Sequence, residues 1–379
     1  MSTIAELHPT PPSRHRFHVL DALRGFAAIV VVLWHVPIFF VGGIHSANGP
    51  LAVDFFFCLS GFVVAFSYEE RLKMGMKYPS FLIARLIRLY PMYIAGTALG
   101  FLGALSMIFY TKNFHVILKN LFFVASAIFF VPNLHPAHSG ATFPLDSPAW
   151  SLFFELVANA GYALLVVFGL SSSWILGLIA SISFGFLVEW QIRGGLLWQI
   201  GWQNLGSCFS YGFARVAVSF LIGILLLRIY RLSPYRMAAY RRSMPILITA
   251  LLLMILTTHE RSLQTQVFQL IAVVTLLPSI VYLGAICPCP HRWTRSCQFL
   301  GELSYPIYLL HMPFILFLES RFAQNWVIHH PASRFFVTPA LLVTTVLLST
   351  FLIERFDKPV RKYLAARFNT FSAKECNRA

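Results

Sequence analysis

The stretch Asp21 to His35, DALRGFAAIVVVLWH, decides how this chain is read. With its flanks it is an apolar run long enough to cross a bilayer as a helix, yet it carries an arginine near one end and a histidine at the other. Arg24 and His35 are eleven residues apart, about three helical turns, so both side chains lie on nearly one face. Ionisable groups inside a span usually face a protein-lined interior, because lipid offers them no partner. Arg24 is near enough to a helix end to snorkel to the headgroups or to pair with Asp21 one turn earlier. His35 lies too deep to snorkel and reads as a functional histidine.

Apolar character extends outward from this stretch along the whole chain. Of 379 residues, 58% are hydrophobic and 11% charged, and the mean hydropathy is +0.70. These values exclude a soluble globular protein and predict an all-α polytopic membrane protein. A formal charge of +15 would suit nucleic acid if it formed a stripe on a soluble domain. Here the basic residues fall in short loops between apolar runs, so the expected partner is the lipid bilayer and not nucleic acid.

Runs of spanning length are read at 18–41, 50–69, 81–110, 147–169, 172–190, 207–228, 244–259, 264–286, 298–320 and 334–355. An eleventh, near 114–132, contains Lys119 and runs into the polar stretch Pro132 to His138. Charge placement decides its fate. If it does not cross, 21 Lys and Arg residues fall on the cytoplasmic side and 6 outside, with Arg24 and Arg215 inside spans. If it does cross, the loop with Arg228, Arg231, Arg236, Arg241 and Arg242 is pushed outside, against the positive-inside rule. The expectation is therefore about ten transmembrane helices, a re-entrant or interfacial segment near 114–132, and both termini in the cytoplasm. Residues 1–16 read as a disordered lead-in, 17–356 as one transmembrane domain and 357–379 as a basic tail. The first apolar run lacks a small-residue cleavage site and is read as retained. No internal repeat of the kind found in many transporters is evident.

Cys287, Cys289 and Cys297 share one loop on the cytoplasmic side and Cys376 lies in the tail, where disulfides are not expected. A C-x-C pair without a matching second pair gives no zinc signature, and no metal is expected.

Depth along each predicted helix sorts the polar groups into two layers. The cytoplasmic layer holds Arg24, about 9 Å into its span, with Arg85 and Arg88 in ARLIRLYPMY at the entrance of the third span. Guanidinium groups suit phosphate, because the fork donates two parallel hydrogen bonds; the same arginines also serve as plain topological anchors. The outer layer holds His35 roughly 10 Å and Asp54 about 6 Å below the outer helix ends, with Glu155 in PAWSLFFEL and His311 in SYPIYLLHMPF at about 12 Å. Asp54, on the neighbouring antiparallel helix, is expected to reach His35, fix its tautomer and raise its basicity. Two histidines without a second facing pair do not make a haem site. Proton-coupled transport would use the same intramembrane Asp, Glu and His groups and stays open as the rival reading.

These motifs together resemble the acyltransferase 3 family, integral-membrane acyltransferases that modify bacterial surface polysaccharides, exopolysaccharides, nodulation factors and some small molecules. The resemblance runs from Leu20 to Tyr363. Arg24 and His35 match its arginine-x10-histidine signature, and VDFFFCLSGF matches its second-helix motif, with Ala52 where glycine is usual. Arg85 and Arg88 before Tyr90 and Pro91 match its arginine-x-x-arginine motif. Trp150, Ser151 and Leu152 with Glu155 match its tryptophan-serine-leucine-x-x-glutamate motif, and LGELSYPIYLLHMPF and IERFDKPVRKYL match its last two spans. The resemblance implies transfer of an acyl group, most often acetyl, from cytoplasmic acyl-CoA as co-substrate to a hydroxyl of a carbohydrate acceptor, in the bacterial cytoplasmic (inner) membrane, with no bound cofactor. It implies that His35, Arg24, Arg85 and Arg88 are essential. In the corresponding scheme His35, Asp54 and Glu155 are catalytic and Arg24, Arg85 and Arg88 bind the donor. Trp150, Ser151, Tyr305, Tyr308 and His311 support them, and Tyr305, Tyr308 and Trp150 are candidates for the oxyanion donor.

Overall fold

The computed structural model describes residues 16–36, 48–111, 114–134, 140–203, 206–232, 243–258, 263–318, 326 and 329–376. They form α1 (His18–His35), α2 (Leu51–Lys73), α3 (Tyr78–Thr111), α4 (Phe114–Ile128), α5 (Ala149–Val167), α6 (Ser173–Ile192) and α7 (Gly206–Leu232). These are followed by α8 (Met244–Thr257), α9 (Leu263–Ile271), α10 (Leu277–Ile286), α11 (Thr294–Leu318), α12 (Arg334–Leu352) and α13 (Lys358–Cys376). One π turn, Ala272–Leu276, joins α9 to α10, and another, Ile353–Asp357, joins α12 to α13. Helix satisfies every backbone group within its own segment, which hydrocarbon requires.

The distribution of polarity is that of a membrane protein. Phe114, Trp174, Phe336 and Leu347 stand exposed on the outside, whereas Asp54, Arg215, His311 and Asp357 are buried inside. Among the described residues, nine helical segments are long and apolar enough to cross a bilayer. The expectation of an all-α polytopic protein is met. The predicted run 244–259 forms α8, whose 14 residues are shorter than the roughly 20 that a crossing usually takes. Most of the lead-in read at 1–16 lies outside the described residues, and the basic tail is helical through Cys376.

The eleventh run is the most informative. α4 follows α3 directly, folds back along it and ends halfway down. There the hydroxyls of Tyr90 and Tyr93 donate to the carbonyls of Ile128 and Ala127. α4 closes with the bond pattern of a Schellman cap: Val131 N–H donates to Ser126 O at 2.9 Å and Phe130 N–H to Ala127 O at 2.9 Å. The left-handed position, usually glycine, is Phe130 at φ 55°. Its ring, packed against Tyr93, Phe143 and Phe153, holds the turn. The chain then stays below the outer ends of its neighbours. A Cβ on Gly100 of α3 would lie 1.7 Å from Leu145 O, so only glycine admits the loop that leads into α5. Gly100 is eleven residues short of the end of α3, about 16 Å along its axis. α5 therefore starts well below the outer end of α3.

The centre of the bundle is close-packed by the same means. A Cβ on Gly61 of α2 would lie 1.9 Å from Phe220 O of α7, and one on Gly223 of α7 would lie 2.0 Å from Cys58 O of α2. The two backbones meet through reciprocal notches, the small-residue packing that joins helices where no hydrophobic effect does so. Gly223→Leu is accordingly expected to reduce the yield of monodisperse detergent-solubilised protein and lower its melting temperature. Gly177→Leu on α6, where a side chain meets open space, is expected to leave both unchanged. Equal behaviour of the two variants in size-exclusion chromatography and thermal melting would refute this packing.

Candidate active site

α1 packs along α11 so closely that a Cβ on Gly25 would lie 2.7 Å from Leu300 Cβ, and one on Gly301 2.7 Å from Asp21 Cβ. This seam carries both ends of the opening stretch. At one end, Arg24 Nε donates to Ser304 Oγ at 2.8 Å, Nη2 donates to Gly301 O, and Asp21 Oδ1 lies 3.6 Å from Nη2. At the other end, His35 Nδ1 is 2.8 Å from Val31 O and 3.3 Å from His311 Nε2, while His311 Nδ1 is 3.1 Å from Ile307 O.

Those contacts assign the tautomers. A carbonyl oxygen can only accept, so both Nδ1 atoms carry their protons: His311 Nδ1–H donates to Ile307 O, and His35 Nδ1–H is shared between Val31 O and the lone pair on His311 Nε2. Among the described residues nothing bonds the remaining nitrogen, His35 Nε2, and its lone pair is free. His311 is fully buried and His35 half-buried, so His35 can meet a substrate while His311 holds it from behind. Trp34 fixes the ring edge-on at a centroid distance of 4.7 Å. This arrangement leaves His35 able to accept a proton at Nε2, as a general base does.

Asp54 does not orient His35. Its carboxylate is clasped by Arg215 of α7, with Nε to Oδ1 at 3.0 Å and Nη2 to Oδ2 at 2.7 Å. The other guanidinium protons go to Pro50 O and Leu197 O at 2.9 Å each and to Ile200 O at 3.5 Å. Both side chains are fully buried, Ser219 Oγ adds a hydrogen bond to Asp54, and the Trp150 ring lies 5.5 Å from the guanidinium carbon. Every donor has a partner, as a buried pair requires. The sequence reading left Arg215 within a span without a role; an arginine well inside one apolar helix and an aspartate in the first turn of another were the available signal for the pair.

Glu155 belongs to the other layer as well. Its Oε1 accepts from Arg85 Nη2 at 3.0 Å and from Ser60 Oγ at 2.6 Å, with Arg85 seven residues into α3. The expected depth took residue 147 to be the outer surface, whereas α5 begins below it. Ser151 Oγ lies 2.8 Å from the Tyr308 hydroxyl, and the Tyr308 ring is 6.1 Å from that of His311. The Tyr305 hydroxyl donates to Leu89 O at 2.6 Å. Arg88 is exposed in the first half of α3. The structure thus joins His35 with His311, Glu155 with Arg85 and Ser151 with Tyr308, and parts Asp54 from His35. Among the described residues, no three His, Cys, Asp or Glu side chains converge to hold a metal ion.

The α1–α11 seam thus carries a pair of histidines at one end and an arginine at the other. A family model described as an acyltransferase domain matches residues 17–354. The chain belongs to the acyltransferase 3 family. A Rhizobium radiobacter protein named as protein 2 in the picA locus is 38% identical over 165 residues, 41% of this chain and 83% of that protein. The exopolysaccharide production protein ExoZ of Rhizobium meliloti (strain 1021) is 31% identical over 121 residues, 32% of this chain and 35% of ExoZ. A Staphylococcus aureus (strain COL) protein with the provisional name of O-acetyltransferase is 23% identical over 370 residues, 90% of this chain and 57% of that protein. The matches thus span about a third of ExoZ and little more than half of the staphylococcal protein. No solved structure matches the chain. Within this acyltransferase 3 protein, the arginine-x10-histidine pair lines the α1–α11 seam.

The Asp54–Arg215 pair makes a separable prediction. Asp54→Asn leaves a buried guanidinium uncompensated and is expected to cost about 3–5 kcal/mol of stability. The double variant Asp54→Leu/Arg215→Met is expected to regain most of that in thermal melting and to recover activity with it. A double variant that melts like wild type but stays inactive would instead return Asp54 to the catalytic centre.

Proposed function

We propose that the protein transfers an acyl group, most simply acetyl, from cytoplasmic acyl-CoA to a hydroxyl of a carbohydrate acceptor at or across the membrane. The observation that carries this reading is the free lone pair of His35 Nε2, about 16 Å along α1 from Arg24. The extended pantetheine arm of CoA covers such a distance. The name of ExoZ supports an exopolysaccharide or related glycan as acceptor, and the provisional name of the staphylococcal relative supports acetyl. The excess of basic residues on one side supports cytoplasmic termini and a bacterial inner-membrane location.

In this scheme the cationic layer of Arg24, Arg85 and Arg88 holds the phosphates of the donor, and the thioester reaches His35 from below. His35 Nε2 takes the proton of the acceptor hydroxyl as its oxygen attacks the thioester carbonyl. The tetrahedral intermediate then expels the thiolate, which takes the proton from the imidazolium, leaving an ester and free CoA. His311 accepts from His35 Nδ1–H throughout and so keeps Nε2 as the base. Of the three candidate oxyanion donors, Tyr305 is committed to Leu89 O and Trp150 packs on Arg215. Tyr308, paired with Ser151, is the one nearest the histidines. Glu155 holds Arg85 in place.

Membranes supplied with labelled acetyl-CoA test the reading. Wild-type protein is expected to leave label on carbohydrate. His35→Ala, expressed to the same level, is expected to slow transfer by roughly 10²–10⁴-fold. Label that never reaches carbohydrate, together with solute uptake that follows the proton gradient, would favour the transport reading. Unchanged transfer by His35→Ala would remove the proposed base.

A further inference from the structure

The π turn at Ile353–Asp357 delivers a cation that the scheme above does not use. Such turns insert one extra residue into a helical ladder and recur at functional sites. Here the turn leads into α13, which packs against α3 and brings Arg361 within reach of the charge of Arg88. Arg361 pairs with Asp357, one turn earlier and fully buried, while its Nε is buried without a hydrogen-bond partner among the described residues. Next to it, Lys358 reaches Glu302 at 3.5 Å. Glu302 also lies 3.6 Å from Arg16, which pairs with Asp21 at 2.8 Å, and Asp21 in turn faces Arg24. A chain of ion pairs therefore ties the start of α13 to the cytoplasmic end of α1.

Arg88 is the centre of this arrangement. It finds no carboxylate among the described residues, and its charge bears on Arg24, Arg85 and Arg361. Like charges gathered in this way repel one another unless an anion joins them, so the cluster is poised for a polyanionic ligand. Its members also differ in depth. The side chains of Arg85, Arg24 and Arg361 are 5%, 25% and 37% exposed. An acyl-CoA entering thioester first brings its diphosphate past the mouth and leaves its ribose 3′-phosphate there.

We propose that Arg361 holds the ribose 3′-phosphate of the acyl-CoA donor, with the deeper arginines left to the diphosphate. The assignment rests on the acyl-CoA reading above and extends it to a residue outside the arginine motifs. A planar guanidinium anchored by Asp357 on one edge still offers donors to a phosphate.

Steady-state transfer from acetyl-CoA and from acetyl-dephospho-CoA, which lacks only that phosphate, tests the assignment in membranes holding the full chain. Wild type is expected to show a KM for acetyl-CoA roughly tenfold or more below that for the dephospho donor. Arg361→Gln is expected to raise the acetyl-CoA KM to the dephospho value, to leave the dephospho KM unchanged and to alter kcat little. Arg361→Lys should restore part of the discrimination, because it restores the charge without the fork. If Arg361→Gln weakens both donors equally, or neither, the 3′-phosphate assignment falls while the acyl-CoA reading stands. If wild type accepts neither donor, the acyl-CoA reading falls and the assignment with it.

Discussion

The close approach of α1 and α11 is the constraint on which the rest of the site depends. Gly25 and Gly301 remove the side chains that would hold the helices apart, and both ends of the seam are then joined by polar contacts. Arg24 reaches the Gly301 carbonyl and Ser304 at one end, and His35 meets His311 at the other. In hydrocarbon such polar groups need partners within the protein, so the packing and the chemistry specify one another. A wider seam would leave Arg24 facing its own helix and His35 held through Val31 O alone.

Two further clamps frame the seam. The Asp54–Arg215 pair fastens α2 to α7 and to the backbone at Leu197 and Ile200, below the ring of Trp150. The Arg85–Glu155 pair, with Ser60, fastens α3 to α5 and α2. Each carboxylate thus serves an arginine, and the two histidines serve each other. Among the described residues, the buried carboxylates of Asp54 and Asp357 and that of Glu155 each pair with an arginine, whereas the Asp146 carboxylate is buried without a hydrogen-bond partner.

Much of this was legible in the sequence, and the failures share one cause. Hydropathy located the membrane helices, and charge asymmetry set apart the run near 114–132, which forms the 15-residue α4. The spacing of Arg24 and His35 placed them on one face and in separate layers, as the α1–α11 seam has them. Glu155 was misplaced because depth was counted from the end of an apolar run. The chain between α4 and α5 stays below that surface, admitted by Gly100 and held by Phe130, and neither residue stands out in sequence. Asp54 was assigned to the wrong partner because sequence neighbours were taken as spatial ones; α2 turns that face toward α7, where Gly61 and Gly223 bring the backbones together. His311 was placed at the right level, but which group would hold His35 depended on the seam.

The central claim is that donor and acceptor meet at His35 from opposite sides of the membrane. Sealed inside-out vesicles test it directly: labelled acetyl-CoA is added outside, and carbohydrate-bound label is then exposed to periodate before and after detergent. The account predicts label that is protected until detergent opens the vesicles and that is absent with His35→Ala. Label that is fully accessible in intact vesicles, or that forms only when acetyl-CoA is sealed inside, would contradict it.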